Sequence, residues 1–224
     1  MATKASAKVS QYYNADSKYN ALPGARMRVR ITFLEELLGT ASNNKDIHRE
    51  FIASKAPNAE SVEEEVASLG VEGVVEKSMT VFPKMEGGVP YLYDYQWKGF
   101  FKDSCGMLKR VAGSESAKIK AYKKEIDGLI FVEDRKVPLE FDAPMGECQR
   151  PLRAQTAQGE RISLANSETV PAGATCEFTI ICMKPDLMKV VKEWLSYGVA
   201  HGTGQWRNSG KGRFTWEELD SWTV

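Results

Sequence analysis

Apolar and polar residues alternate along 26–33, where Met27, Val29, Ile31 and Phe33 are separated by Arg28, Arg30 and Thr32. That is the period of a strand with one buried face, and it predicts a first strand over Arg26–Phe33. A loop follows at 39–44, then two short helices at 47–55 and 61–69, the second opening on Ser61 and Glu64 in capping-box spacing. Residues 76–82 and 89–93 are predicted strands joined by a turn at Glu86-Gly87-Gly88. From Tyr95 to Arg110 the period becomes helical, with Asp94 as its cap and Trp97, Phe100, Phe101 and Leu108 as the buried stripe. Lys98, Lys102 and Lys109, with Cys105 between them, share one row of that helix.

A further helix is predicted at 116–126, and strands at 129–133 and 136–141. The arginine-bearing stretch 145–167 is a hairpin or extended loop. Val170-Pro-Ala-Gly-Ala is a turn into a buried strand, Thr175–Met183, and a helix covers 186–197. Arg213–Trp216 closes the chain of elements. Strands and helices in this order make an α+β protein with ferredoxin-like βα units, with no fixed-period repeat. Residues 1–24 are polar, end in Leu22-Pro23-Gly24 and are expected to form a flexible arm, whose Tyr12, Tyr13 and Tyr19 suit docking on another surface, such as a neighbouring copy.

Composition changes this picture in two respects. The 224 residues balance at zero formal charge, with 30 basic and 30 acidic side chains, but unevenly. Glu60, Glu63, Glu64, Glu65, Glu72 and Glu76 make one acidic stretch, while basic residues gather from Lys98 to Lys124, at Arg150, Arg153 and Arg161, and at Arg207, Lys211 and Arg213. A neutral chain can thus carry a basic face. The four cysteines form no CxxC pair, and Cys176 and Cys182 fit a strand core, which suits a reducing, cytoplasmic location. No leader and no membrane span are expected, and neither a metal site nor a cofactor.

The chemistry concentrates in Gly202-Thr-Gly-Gln-Trp-Arg-Asn-Ser-Gly-Lys-Gly-Arg-Phe214. Glycines at 202, 204, 210 and 212 allow close approach of the backbone, whose N–H groups can cradle phosphate. Arg207, Lys211 and Arg213 add charge, and Trp206 can stack on a base. Neither a dinucleotide fingerprint nor a P-loop fits: the loop leads from helix to strand, and Gly210-Lys211 is followed by Gly212 rather than Ser or Thr. Single-stranded nucleic acid is the expected ligand, gripped by this loop and the Lys98, Lys102 and Lys109 row.

Helix, Gly-x-Gly, basic stretch and Gly-x-Gly-Arg-Phe in succession resemble the C-terminal glycine-rich loop of the RAMP superfamily, the repeat-associated RNA-binding proteins of CRISPR systems. Tyr95-Gln-Trp-Lys-Gly-Phe-Phe-Lys is similar to that superfamily's "GSSLKGALR" segment, with Lys98-Gly99 matching Lys-Gly and Lys102 in the place of the arginine. Val170-Pro-Ala-Gly-Ala-Thr-Cys-Glu-Phe is similar to its "vpagt-x-F" strand entry. The serines of the helix entry are replaced by Asp94, Tyr95 and Gln96. The resemblance implies a modified RRM or ferredoxin-like domain over 25–224, with insertions at about 40–75 and 142–168. It also implies a backbone-type subunit polymerising along a guide RNA, with Cys148–Arg161 as a thumb or groove wall. The residues expected to contact the strand are Lys98, Lys102, Lys109, Arg150, Arg153, Arg161, Gly202, Gly204, Trp206, Arg207, Lys211 and Arg213.

Cleavage is not expected. Asp46, in the loop after the first strand, is in the place of an aspartate with which some relatives cut RNA by metal-assisted chemistry, but it equally caps the helix at Ile47. His201 adjoins the glycine loop without an evident partner base. Two alternatives stand beside RNA binding: a phage or mobile-element structural or anti-defence interaction protein that keeps the fold, and a ribonuclease using Asp46 or His201.

Overall fold

The computed structural model describes residues 11–42, 79–156 and 159–224, and the side chains of all of these except 152–156 and 159–164. The helices expected at 47–55 and 61–69, together with Asp46, lie outside the described residues. So do the side chains of Arg153 and Arg161.

Strand β1 (Ala25–Phe33) is central. It pairs on one side with β11 (Phe214–Thr223) and on the other with β10 (Thr175–Cys182), which pairs with β6 (Ile130–Val132). All three pairings are antiparallel. Helices α1 (Asp94–Leu108) and α2 (Tyr122–Leu129) connect β1 to β6, and α3 (Leu187–His201) connects β10 to β11. A βαββαβ chain with sheet order last, first, third, second is the ferredoxin-like arrangement, so the α+β expectation is met.

The alternation in β1 works as predicted. Met27, Val29, Ile31 and Phe33 are buried under the helices. The other face is an ion-pair lattice: Arg28 meets Asp134 (3.0 Å) and Glu177 (3.7 Å), and Arg30 meets Glu177 (2.6 Å) and Glu217 (2.6 Å). On the core side Trp97 of α1 lies 4.5 Å from the Phe178 ring, and Phe101 lies 5.7 Å from Trp194 of α3. Offset and edge-on aromatic contacts of this kind add to the area they bury.

A second sheet stands beside the first. Short strands β2 (Leu37–Leu38), β3 (Ala41–Ser42) and β4 (Thr80–Val81) join a long hairpin of β8 (Gly146–Thr156) and β9 (Gly159–Val170). The hairpin is where the sequence predicted one, although it is paired throughout its length. Strands β5 (Tyr91–Tyr93) and β7 (Lys136–Pro138) form a separate ribbon.

Four details differ from expectation. Tyr93, not Asp94, caps α1, and its N–H donates to Gln96 Oε1 (2.7 Å). The helix expected at 116–126 is a 3₁₀ turn at Ser116–Lys118 followed by α2, because buried Ser116 is drawn to α3: its N–H donates to Glu193 (3.0 Å) and its hydroxyl accepts from Trp194 Nε1 (2.9 Å). The closing strand runs on to Thr223. Within the expected arm, residues 11–24 lie against the chain's own sheet. Arg26, 3% exposed, donates to the carbonyls of Tyr19, Leu22 and Gly24, while Tyr19 packs 5.9 Å from Phe131.

Gly198 sets how closely α3 approaches β11, since a Cβ there would fall 2.3 Å from the Phe214 ring. Gly198→Ala is therefore expected to destabilise the fold by ~1–3 kcal/mol through overpacking, although alanine favours helix. Gly128→Ala in α2, which meets nothing within 4 Å, should be neutral or stabilising. Thermal melts of the two variants decide this; equal melting temperatures would refute the close-packing account.

Candidate nucleic-acid interface

The glycine-rich loop leaves α3 at Gly202 and enters β11 at Phe214. Its glycines serve closure. Gly202 (φ +69°) and Gly212 (φ +67°) are left-handed, and a Cβ on Gly212 would sit 2.0 Å from the Thr203 carbonyl oxygen. The N–H of Gly202 donates to Gly198, that of Gly210 to Arg207 and that of Gly212 to Glu36; Thr203 N–H donates to Gly212 (2.9 Å). Three of the four glycine N–H groups expected to cradle phosphate, those of Gly202, Gly210 and Gly212, are thus held by backbone carbonyls.

The loop's cations are answered in the same way. Lys211 pairs with Glu36 (2.7 Å) and Arg213 with Glu35 (2.9 Å), both acids from the turn after β1. The hydrogen bond that Lys211 donates to Glu36 holds its ammonium above the usual range. Arg207 pairs with Asp103 of α1. His201, expected to lack a partner, also meets Asp103: its Nε2 lies 2.6 Å from Asp103 Oδ2 and 2.8 Å from Arg207 Nη1. That nitrogen donates to Asp103 when protonated and accepts from Arg207 when bare. Tyr197 stacks on the imidazole at 5.0 Å.

Between α1 and the loop is a cavity of about 670 Å³. Its floor is apolar, made of Leu37, Leu38, Leu92, Trp97 and Phe100. Tyr93, Tyr95, Gln96, Gly99 and Asp103 form the α1 side, and Thr203, Gly204 and Arg207 the loop side. Ser42 and Thr80 complete the rim. Gly99 has nothing within 4 Å of its Cβ position, so this stretch of helix is bare backbone on its outer side. Tyr93 and Tyr95 stack at 5.1 Å, with the Arg135 guanidinium 5.2 and 5.5 Å from the two rings. Tyr95 is 45% exposed.

The lysine row does not share this wall. Lys98 Nζ donates to the Asp127 carbonyl (3.1 Å) and lies 4.6 Å from the Phe131 ring; burial pushes its ammonium below the usual lysine range. Lys102 pairs with Asp127 (2.6 Å), Lys109 lies over Tyr122, and Cys105 is fully buried. The row faces α2 and β6, on the opposite flank of α1 from Gln96, Gly99 and Asp103. The side of α1 that lines the cavity is instead that of Tyr93, Tyr95, Gln96, Gly99 and Asp103. Arg150 and Trp206 stand together just outside the cavity, 5.4 Å apart. Among the described residues, no cluster of His, Cys, Asp or Glu is placed to hold a metal ion, and no helix is long and apolar enough to cross a membrane.

No family model matches the chain, and no curated protein does. Among solved structures it is similar to a chain of "Cryo-EM structure of the Type III-B Cmr-beta bound to cognate target RNA", with 12% identity and a TM-score of 0.49. The match covers 91% of this chain and 61% of that one, so the chain spans less than two thirds of that neighbour's length.

Burial raises the Asp103 carboxyl, but the hydrogen bonds from His201 and Arg207 outweigh it and leave the group below its ordinary range. A depressed carboxylate stabilises the fold above the unfolded value, near pH 4, and loses that contribution as pH falls through the folded value. Asp103→Asn is expected to cost under about 1 kcal/mol at pH 7, since the pair is partly in water. At acid pH below the folded value, where the carboxyl is protonated in both states, the deficit should shrink towards zero. Urea melts at the two pH values test this, and a deficit independent of pH would refute it.

Proposed function

We propose that the chain binds single-stranded nucleic acid, RNA by preference, in the cavity between α1 and the glycine-rich loop, without cutting it. The observation that carries the proposal is that the two segments resembling RAMP motifs, one containing Gly99 and the other Gly204, line one cavity. Gly99 presents backbone there with no side chain in the way, and Gly204 brings its backbone against Leu37 of the floor. A strand entering it meets aromatic faces at Tyr93 and Tyr95, apolar floor for its bases, and the polar groups of Gln96, Thr203 and Arg207. Stacking contributes roughly 1–3 kcal/mol per base and is tolerant of sequence, as a subunit that follows a guide or target strand requires. The β8–β9 hairpin is in the place of the thumb that the resemblance implies, and several copies would then assemble along one strand. In this mechanism His201 serves structure, engaged by Asp103 and Arg207.

The pairing of Arg207, Lys211 and Arg213 with acids of the same chain favours a second reading. A surface with its charges answered suits a protein partner, as in a structural or anti-defence interaction protein. A strand would win those cations only by competing with carboxylates, so its grip would rest more on stacking than on charge.

Fluorescence anisotropy with a labelled 20-nucleotide single-stranded RNA separates the two. Binding is expected to weaken with salt, with a slope corresponding to a few phosphates. Tyr95→Ala should reduce affinity by roughly 5- to 100-fold, and filling the wall with Gly99→Gln should do the same. No binding at low salt, or binding indifferent to both substitutions, would sink the cavity proposal and favour the protein partner.

A further inference from the structure

At the base of the β8–β9 hairpin the chain holds an arginine whose charge it does not answer. Arg150 is 8% exposed. Its Nη2 donates to Gln205 Oε1, and Gln205 Nε2 donates onward to the Gly39 carbonyl (3.0 Å), so the guanidinium is held in place. Its other amino group, Nη1, is closed off from solvent and has no hydrogen-bond partner. Arg28, Arg30, Arg135, Arg207 and Arg213 each meet a carboxylate, and buried Arg26 has both amino groups answered by backbone carbonyls, but among the described residues Arg150 has neither an ion pair nor a partner for Nη1. A buried cation without a counter-charge is costly, and the cost is relieved when an anion arrives.

Trp206 lies over this guanidinium, 5.4 Å from ring centroid to the guanidinium carbon. It is the one non-glycine with a positive φ (+56°) among the described residues. For an aromatic residue that backbone is strained, and it persists because the loop closes around it: Ser209 N–H donates to the Trp206 carbonyl (3.0 Å), and Gly210 follows at φ +81°. The strained turn keeps the indole on Arg150 while leaving Trp206 38% exposed.

We propose that Arg150 and Trp206 form a nucleotide subsite beside the cavity, in which Arg150 Nη1 takes a phosphate and the attached base stacks on the exposed indole. The inference deepens the single-strand proposal and rests on it. A guanidinium suits phosphate because it presents paired N–H groups, and an indole is the best stacking partner among side chains. Nη1 is closed in the free chain, so phosphate enters as the indole shifts, and tryptophan emission reports the event.

The test uses the full chain with adenosine 5′-monophosphate, adenosine, inorganic phosphate and acetate as separate probes, followed by tryptophan emission and by ³¹P line broadening where the probe has phosphorus. The mononucleotide is expected to bind more tightly than adenosine or phosphate alone, by roughly fivefold or more. Arg150→Met should reduce the mononucleotide to the level of adenosine, and Trp206→Ala should reduce it to the level of phosphate. Arg150→Lys, which keeps the charge without the fork, should be intermediate, and it stands in if the methionine variant fails to fold. The inference is overturned if the wild type ignores both mononucleotide and phosphate, or if Arg150→Met and Arg150→Lys bind as the wild type does. It is also overturned if acetate matches the mononucleotide, which would assign the cation to a carboxylate partner. Because no long strand is involved, failure here with intact 20-nucleotide binding leaves the cavity proposal standing, and the reverse outcome sinks the cavity alone.

Discussion

The Phe214 ring is where the two halves of the molecule are fixed to each other. It lies 5.7 Å from Trp97 and 5.1 Å from Phe100 of α1, and 6.1 Å from Phe33 of β1, with Gly198 of α3 closed down upon it. Phe214 is also the residue on which the glycine-rich loop ends. Its seat therefore decides where the loop lands relative to α1. Trp97 and Phe100, which touch it from below, are the floor of the cavity above. A side chain at 198 would push α3 away and carry Gly202, the loop's first residue, with it. Core packing and cavity shape are one constraint here, because interiors packed to crystal density transmit displacement rather than absorb it.

Charge is arranged to the same end. The turn after β1 presents Glu35 and Glu36 to the cations that precede β11, and α1 presents Asp103 to Arg207. Two of the pairs close the loop against that turn, and the third closes it against α1. Partly exposed pairs contribute modestly to stability, so their value is geometric: they select one loop conformation among the many that four glycines allow. Arg150 stands outside this scheme: among the described residues it meets no carboxylate, and its Nη1 is buried without a hydrogen-bond partner. Arg26 is also buried without a carboxylate, but backbone carbonyls answer both its amino groups; against that contrast, the open amino group of Arg150 points to a ligand.

The fold was largely legible, and the reason is local. Alternation in 26–33 and the apolar run in 175–183 are short-range signals, and the central pair of strands follows from them. The loop was legible as a loop, but its interior was not. Glycines that serve closure and glycines that admit a ligand look alike in a sequence; only the 2.0 Å approach at Gly212 tells them apart. The lysine row failed for a related reason. Spacing places residues on one flank of a helix but does not say which neighbour that flank meets, and Asp127 and Phe131 come from elements that follow it. Asp103 is 98 residues from His201. As an acid in mid-helix it had no signal of its own, and His201 looked unpartnered for the same reason.

The sheet explains why a ligand should be sought at this edge at all. An RRM offers RNA its open sheet face, with aromatic side chains standing on the central strands. Here that face carries Arg28 and Arg30 on β1, locked to Glu177 of β10, Glu217 of β11 and Asp134 after β6. Cross-strand pairs of this kind neutralise the surface, and the 11–24 segment lies on it as well, with Tyr12 5.6 Å from the Arg28 guanidinium. Exposed aromatic side chains stand elsewhere, at the α1 entry as Tyr95 and in the loop as Trp206. Between these two groups lie the cavity and the unanswered arginine. A strand bound by this molecule would then cross the end of the helix layer rather than the sheet, passing the base of the β8–β9 hairpin where Arg150 joins it to the loop. Such a path would leave the sheet's ion pairs intact, so binding there would not have to compete with the interactions that hold the central strands together.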